Sequence, residues 1–414
     1  MEKSEKRRVV VSGLGAVTPI GHTAQASFAA AKEGSCGIAT ITAFDVSDHK
    51  VKLAAEVKNL RVEDFLDKKE ARKLDRFTQF ALIAAQEAML DSGLHVERED
   101  AGRIGVTVSS GIGGLSAIER EHSKGLDYSF DRVSPFFIPM SIGNMAAGHI
   151  AITYGLQGMC TCPVTACAGG TNAVGDAFRL IRDGYADMMV CGGAEASITP
   201  LGVGGFTSMR ALSESEDPSR ASIPFDKERN GFVMGEGAGI LVLEEYEHAM
   251  ARGAKIYCEL KGYASNCDAY HITAPRPDGS GAASCMRLAL ADAGVQAEDI
   301  VYLNAHGTST QLNDKAETGA VKQVFGAAAN KLQVSSTKSM VGHMLGASGA
   351  VEAVFTALSM HNGIILPTIN YQVPDPDCDL DIVPNKARTA EISLAMSNSF
   401  GFGGHNASLI FGKL

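Results

Sequence analysis

Long hydrophobic runs are missing from this chain. No uninterrupted apolar stretch among its 414 residues approaches the ~20 residues that a membrane-spanning helix needs. The N-terminal order of charged MEKSEKRR and apolar VVVSGLGAVTPIG imitates a signal peptide, but Ser12, Gly13 and Gly15 break the apolar part early. That stretch reads as a buried strand and turn, and a cytoplasmic protein is expected. Paired cysteine spacing is also missing. The nine cysteines are odd in number and scattered from Cys36 to Cys378, which argues against a disulfide framework. Cys160 and Cys162 lie near Cys167, but no second Cys or His cluster stands at structural-zinc spacing. Positive charge is in deficit, with 37 Lys+Arg against 47 Asp+Glu and a net charge of −10. A general nucleic-acid surface is therefore excluded, and an acidic partner would need a local basic patch. The glycines after the first strand are not spaced as GxGxxG, so no nucleotide fingerprint is present.

What is present describes an ordinary globular protein, 45% apolar and 20% charged, long enough for two domains or halves. Strand patterns alternate with helix patterns throughout, which predicts an α/β architecture of largely parallel, buried sheets. Strands are expected at residues 8–15, 103–112, 186–193, 240–244, 255–261, 300–305 and 332–336, with a last one closing the chain. Helices are expected from Thr23 to residue 33, over 64–92, and at 173–181, 245–252, 281–293, 313–325 and up to about His361. Residues 126–140 are less regular and aromatic, a candidate lid or interface. Gly253-Ala254 marks a boundary, giving halves 1–254 and 255–414. Gly169, Ala173, Val174 and Phe178 match Gly346, Ala350, Val351 and Phe355 at one constant offset, a hint of duplication.

The stretch Pro163-Val164-Thr165-Ala166-Cys167-Ala168-Gly169-Gly170 puts a cysteine where an apolar lead-in hands over to a helix. The positive end of a helix favours a thiolate and is expected to lower the thiol pKa. Small residues after it let a substrate carbonyl approach the backbone. A nucleophilic cysteine is one reading, and a buried structural cysteine the other. His306 in NAHGTST and His343 in SSTKSMVGHMLGASGA stand at predicted strand ends in glycine-rich loops. Two neutral imidazoles there can donate N–H to an oxygen that gathers negative charge, as when a carboxylate leaves as carbon dioxide. Each can equally be a satisfied loop histidine. A zinc site from Cys167, His306 and His343 lacks any ligand pair at helical or knuckle spacing. Lys338 is either an exposed surface lysine or one that holds the loop before His343 by pairing with an acid such as Glu352 on the following helix. Lys69, Arg72, Lys73 and Arg76 fall at i, i+3, i+4 and i+7 of the helix predicted over 64–92, which gathers positive charge on one face. That face is either simply solvated or a landing site for an acidic partner.

Taken together, VTACAGG, PFDKERNGFVMGEGAG, NAHGTST, SSTKSMVGHMLGASGA and SNSFGFGG resemble the motifs of the β-ketoacyl-acyl carrier protein synthases of the thiolase superfamily, most nearly the type II elongating enzymes. The resemblance implies the thiolase fold, with duplicated halves forming five αβαβα layers, usually as a homodimer. It implies an acyl-Cys167 intermediate, with His306 and His343 assisting malonyl decarboxylation and Lys338 in support, paired to Glu352. Phe402 would be the gate and complete the oxyanion hole, with Phe400 in the same loop. Ile112 and Phe206 would line the acyl channel, and Thr308 and Thr310 would touch the carrier's phosphopantetheine arm. The partner would be a small acidic acyl carrier protein, docking near Lys69, Arg72, Lys73 and Arg210. No cofactor of the protein's own is implied, apart from a Na+ or K+ near Asn304, Glu352, Ser397 and Asn398. Two departures stand out. Relatives often carry Ser or Thr at the place of Gly169, and Thr at that of His405. A polyketide synthase, a cysteine thioesterase and a non-catalytic partner subunit remain as rival readings.

Overall fold

A computed structural model describes residues 6–414; residues 1–5, the start of the charged lead, lie outside the described residues. Ten strands form one twisted sheet: β1 (Val9–Val17), β2 (Ile104–Ser109), β3 (Cys160–Thr161), β4 (Met188–Glu195), β5 (Gly237–Glu245), β6 (Cys258–Cys267), β7 (Tyr302–Asn304), β8 (Gln333–Ser335), β9 (Leu394–Gly401) and β10 (His405–Gly412). Their order across the sheet is β8-β7-β9-β10-β6-β1-β5-β4-β2-β3. Each strand of the first five has its counterpart five places later, and the two halves meet where β1 pairs with β6 through Val9–Leu260, Val10–Glu259 and Val11–Cys258. The duplication hinted at by four identities is thus written into the whole topology.

The sheet is mixed rather than largely parallel, which corrects the expectation. Pairing is parallel at the outer ends, β4-β2-β3 and β9-β7-β8, and antiparallel through the middle. Strands buried on both faces produce the same apolar runs in either direction, so composition does not report strand sense. Five layers follow from strand alternation. Leu241 and Leu243 of β5 point into one core and Ile240 and Val242 into another. In the second half, Leu409 and Phe411 of β10 share that first core, while Ile410 faces a third.

Four helices fill the layers in a matching pattern: α1 (Arg76–Ser92) after β1, α2 (Gly169–Arg182) after β3, α3 (Ser280–Ala293) after β6 and α4 (Ser348–Asn362) after β8. α1 supplies Phe77, Phe80, Ile83 and Ala84 to the core on the outer face of the first half. α3 supplies Met286, Ala289 and Leu290 to that of the second half. α2 and α4 lie between the halves and share the central core through Val174, Phe178, Val351 and Phe355. These are the residues of the internal echo. The two helices start almost in contact: a methyl group on Gly170 would stand 2.7 Å from the Ala350 nitrogen. This is the five-layered thiolase arrangement.

Two local expectations need correcting. Gly13 and Gly15 are not in a turn but inside β1, because a side-chain carbon on either would stand 2.3 Å from the carbonyl oxygen of Ala88 or 2.0 Å from that of Ala84 on α1. The helix expected over 64–92 is broken. Asp67 caps a short helix, Lys68–Ala71, through the N–H groups of Lys69 and Glu70, and Asp75 caps α1. Lys69, Arg72, Lys73 and Arg76 therefore do not share one helical face. Arg76 is committed to Glu236 at 2.7 Å and to the carbonyl of Val57, and Lys73 to Glu70 at 2.6 Å, whereas Lys69 and Arg72 are exposed. Among the described residues, no helix is long and apolar enough to cross a membrane.

Candidate active site

The floor of a cavity of about 360 Å³ is made by Cys167, His306 and His343, with Phe206, Phe400 and Phe402 above them. Thr308, Thr310 and Arg210 line the same cavity. Residues from both halves and from positions far apart in the chain thus converge on one opening. Ile112 does not line it; that side chain is 38% exposed on the loop after β2. Lys338 and Glu352 lie behind the histidines, 1% and 2% exposed.

Cys167 sits in a tight turn, Ala166–Ala168, directly before the first residue of α2. Ala166 takes φ +50° to make that turn, a left-handed conformation that costs a non-glycine residue on the order of 1 kcal/mol. The start of α2 has no side-chain cap, so its positive end faces the cysteine. The N–H groups of Phe402 and of Cys167 itself favour the ionised sulfur. Gly401 keeps this approach open: a side-chain carbon there would stand 3.1 Å from the Cys167 nitrogen and cover it. The thiol is nonetheless not acidified. Burial pushes its pKa up to about 11, outweighing the pull of Lys338 and the Phe402 N–H. This corrects the expectation of a preformed thiolate, because the same enclosure that shapes the pocket removes the water a thiolate needs.

Gly169 fits tightly. A side-chain carbon there would stand 2.0 Å from the hydroxyl of Ser109, which donates to the carbonyl of Pro163. Ser109 fills the space that a Ser or Thr at this position would need, so the departure at Gly169 is a local exchange of side chains. His405 places its ring against the backbone of Gly403, within the loop that carries Phe402.

His306 and His343 meet edge to face with ring centroids 5.3 Å apart. Burial holds the pKa of each well below the ordinary histidine value, and the charge of Lys338 lowers both further. Both are neutral at pH 7. The Ser348 hydroxyl accepts from the Met344 N–H at 2.8 Å and stands 2.8 Å from Nδ1 of His343. That contact fixes the orientation of the His343 ring. Phe232 braces the same ring at 5.2 Å, and Phe400 braces His306 at 5.7 Å. The His306 backbone is pinned by Glu317, whose carboxylate accepts from the N–H of His306 at 2.9 Å and of Gly307 at 2.8 Å. Lys338 donates to Oε1 of Glu352. Ser348, Phe232 and Glu317 were not singled out from the sequence. The first two lie inside quoted motifs, but Glu317 shows only as an acid on a predicted helix 11 residues beyond His306.

Among the described residues, no group of three or more His, Cys, Asp or Glu side chains is placed to hold a metal ion. Several buried polar atoms lack a hydrogen bond, among them both side-chain atoms of Asn304, Oε2 of Glu352, Oγ of Ser397 and Nδ1 of His306. Asn304 and Ser397 are register partners on adjacent strands. Asn398 is not among them, since its Oδ1 accepts from Ser408 at 2.7 Å and its amide nitrogen lies 3.3 Å from the sulfur of Met286.

The chain matches the Beta-ketoacyl synthase N-terminal domain over residues 6–249 and the C-terminal domain over residues 257–372. It is 54% identical to the 3-oxoacyl-[acyl-carrier-protein] synthase 2 of Synechocystis sp., over 100% of both chains. Identity to the protein of that name from Staphylococcus aureus is 52% over 99% of each. Among solved structures it is similar to a type II polyketide ketosynthase in complex with its acyl-carrier protein, with a TM-score of 0.91 and 37% identity over 99% of this chain and 100% of that one. A beta-ketoacyl synthase from Burkholderia phymatum shares a TM-score of 0.91 and 36% identity over 99% of this chain and 100% of that one.

Proposed function

The chain belongs to the β-ketoacyl synthase family, and from that premise we propose that it is an elongating condensing enzyme of fatty acid synthesis, with the activity of a 3-oxoacyl-[acyl-carrier-protein] synthase II. It joins an acyl-acyl carrier protein to malonyl-acyl carrier protein and releases 3-oxoacyl-acyl carrier protein and carbon dioxide. The observation that carries this reading is one buried cavity holding an N–H-lined thiol beside two neutral imidazoles. A thioesterase would need the thiol and one histidine, and would leave the second unused.

In the first step the Cys167 sulfur attacks the acyl thioester. Its proton leaves with the departing pantetheine thiol, and the negative charge on the carbonyl oxygen falls to the N–H groups of Cys167 and Phe402. In the second step, the malonyl carboxylate departs as carbon dioxide. The electron pair it leaves passes to the thioester oxygen as an enolate, held by N–H donors of His306 and His343. The enolate carbon then attacks the Cys167 thioester and expels the sulfur as a thiolate, which takes up a proton from water to restore the thiol. Burial keeps both imidazoles neutral, the positive charge of Lys338 lowers them further, and Glu352 holds Lys338 in place. Phe402 gates the cysteine, with Phe206 at 6.4 Å from its ring and Phe400 in the same loop. Thr308 and Thr310 line the entrance for the pantetheine arm, which the carrier brings; the protein needs no organic cofactor of its own.

The orphaned oxygens of Asn304, Glu352 and Ser397 suit a hard monovalent cation such as Na+ or K+, which would neutralise the second Glu352 oxygen. The docking surface for the acidic carrier comprises Lys69, Arg72, Lys73 and Arg210, of which Arg210 stands exposed at the cavity mouth. A homodimer is supported by the large apolar side chains left exposed between Leu126 and Val164, among them Tyr128, Phe130, Ile138, Ile152 and Met159. The two halves are taken as 1–254 and 255–414, a division supported by the mirrored strand order.

The test is the mass of the intact protein after incubation with an acyl-carrier protein, followed by a malonyl-carrier chase. One acyl group should appear on Cys167 and leave as a product two carbons longer, as the balance of the reaction requires. Discharge as free acid would point to a thioesterase, and no gain in mass to a non-catalytic subunit. Phe402→Ala is expected to weaken discrimination among primers while malonyl decarboxylation persists; an unchanged primer preference would count against a gate. Because both histidines are neutral well below the ordinary value, decarboxylation should hold its rate as pH falls from about 8 to about 6. A decline centred near the ordinary histidine value would show that one of them titrates normally.

A further inference from the structure

Glu195 ends β4 as a fully buried carboxylate, 0% exposed, that the chemistry above does not use. Among the described residues, no cation partners it. Instead, five donors surround it. Oε2 accepts from the N–H of Gly111 at 2.7 Å and of Gly346 at 3.0 Å. Oε1 accepts from the N–H of Ile112 at 3.2 Å and from the hydroxyls of Ser110 at 3.1 Å and Ser197 at 3.2 Å. Ser110 in turn accepts from the Gly113 N–H at 3.0 Å, so the loop 110–113 is gathered around one side chain. Gly346 belongs to the turn Leu345–Ala347, and Leu345 shares with Cys167 the apolar cluster that also contains Ile198, Val203, Leu212 and Phe232. The two backbones touch: a side-chain carbon on Gly346 would stand 2.4 Å from the Gly111 nitrogen. Glu195 therefore joins the loop carrying Ile112 to the turn carrying the apolar wall beside Cys167. His343 is held outside that turn by backbone bonds to Val233 at 2.7 Å and from Gly235 at 2.8 Å.

We infer that Glu195 is a positioning residue for acyl-chain selection: by tying the turn 345–347 to the loop 110–113, it fixes where Leu345 stands in the apolar cluster that it shares with Cys167. The inference rests on the condensing-enzyme reading. Three backbone N–H groups in a dry site need an acceptor, and a carboxylate satisfies all of them at once. Glu195→Gln keeps the shape but turns an N–H2 group toward converging donors, so loop and turn separate. The length of chain that fits then changes, while the two histidines keep their places.

The experiment measures acylation of Cys167 over a graded series of acyl-carrier proteins, with malonyl decarboxylation followed in parallel, on the full-length protein. In Glu195→Gln the ratio of kcat/KM between the preferred primer and one too long for the wild-type channel should fall roughly tenfold, the discrimination that an apolar wall supplies. Decarboxylation should stay within about twofold, since its donors are held elsewhere. Adding Glu195→Gln to Leu345→Ala should change the ratio by less than in the wild type, because both act through the same side chain. Ser197→Ala, which leaves all three backbone bonds, should move the ratio the same way by a smaller factor, and serves if the glutamine variant does not fold. An equal fall for every primer and for decarboxylation, or an unchanged ratio in both variants, overturns the inference. A wild-type protein that takes no acyl group overturns the reading beneath it instead.

Discussion

Replacing Cys167 by alanine is expected to reduce condensation by at least about a thousandfold, since no other group in the cavity can carry the acyl chain between its two carriers. Malonyl decarboxylation should survive, because the donors to the enolate are His306 and His343, each fixed by its own contacts. Loss of one sulfur from a small buried site costs little stability, on the order of 1 kcal/mol, so the folded fraction is unaffected. The measurement is carbon dioxide release beside product formation, with and without primer. Loss of both activities together would mean that the cysteine also organises the histidines. The unmodified thiol carries a second expectation. With a pKa of about 11, only the small thiolate fraction reacts with an alkylating reagent, and that fraction grows with pH. Carbamidomethylation of Cys167 should therefore accelerate roughly tenfold per pH unit from about 7 to about 10. A rate already level at pH 7 would show that the start of α2 acidifies the sulfur after all.

That contrast marks where the sequence stops being informative. Cys167, His306, His343 and the Phe400–Gly404 loop stood out because each interrupts an apolar run with a reactive or very small residue at a strand end, and local pattern reports that much. The α/β layering was legible for the same reason, because alternating strands and helices leave few ways to bury their faces; the count of five layers came only with the family resemblance. Strand direction was not, because a strand covered on both sides reads alike whichever way it runs. The break between Ala71 and Arg76 was missed because the charged stripe continues through it at helical spacing; the signal lay in Asp67 and Asp75, each placed to cap a new start. The thiol pKa was misjudged because a helix end can be read locally, whereas burial depends on side chains such as Val203, Phe232 and Leu345 arriving from elsewhere in the chain. Glu195 left only a faint trace, an acid closing the apolar run Met188–Ala194. Its five donors come from three separate segments, and no linear pattern joins them.

Replacing Lys338 by methionine should have effects on stability and chemistry that share one cause. The ammonium is 1% exposed and donates to Glu352, itself fully enclosed. Burial pushes Glu352 up to about 7, although the nearby charge and hydrogen bond of Lys338 pull it down. Between the ordinary carboxylate range and that value, the folded protein keeps a proton that the unfolded chain has lost, so this group makes folding less favourable as pH rises through that window and adds no further slope above it. Without Lys338 the Glu352 pKa climbs further and the loss extends to higher pH. Methionine nearly preserves the volume, which leaves the charge as the main change. At about pH 8 the variant should be less stable by roughly 3–5 kcal/mol, the cost of stranding one member of a buried pair. At about pH 5, where Glu352 is protonated in the variant's folded state, most of that loss should vanish. Urea denaturation at the two pH values reads the difference, and an equal loss at both would assign Lys338 to packing alone. The same substitution frees His306 and His343 from a cation that lowers both. Their pKa values should rise toward the ordinary range, and the acid limb of decarboxylation should move upward with them. Cys167 loses the same cation, so its alkylation at neutral pH should slow. Three readouts then follow from one charge: one from the fold, one from the histidines and one from the sulfur. If decarboxylation keeps its acid limb in a variant that has lost its pH-dependent stability, Lys338 supports the structure without tuning the imidazoles.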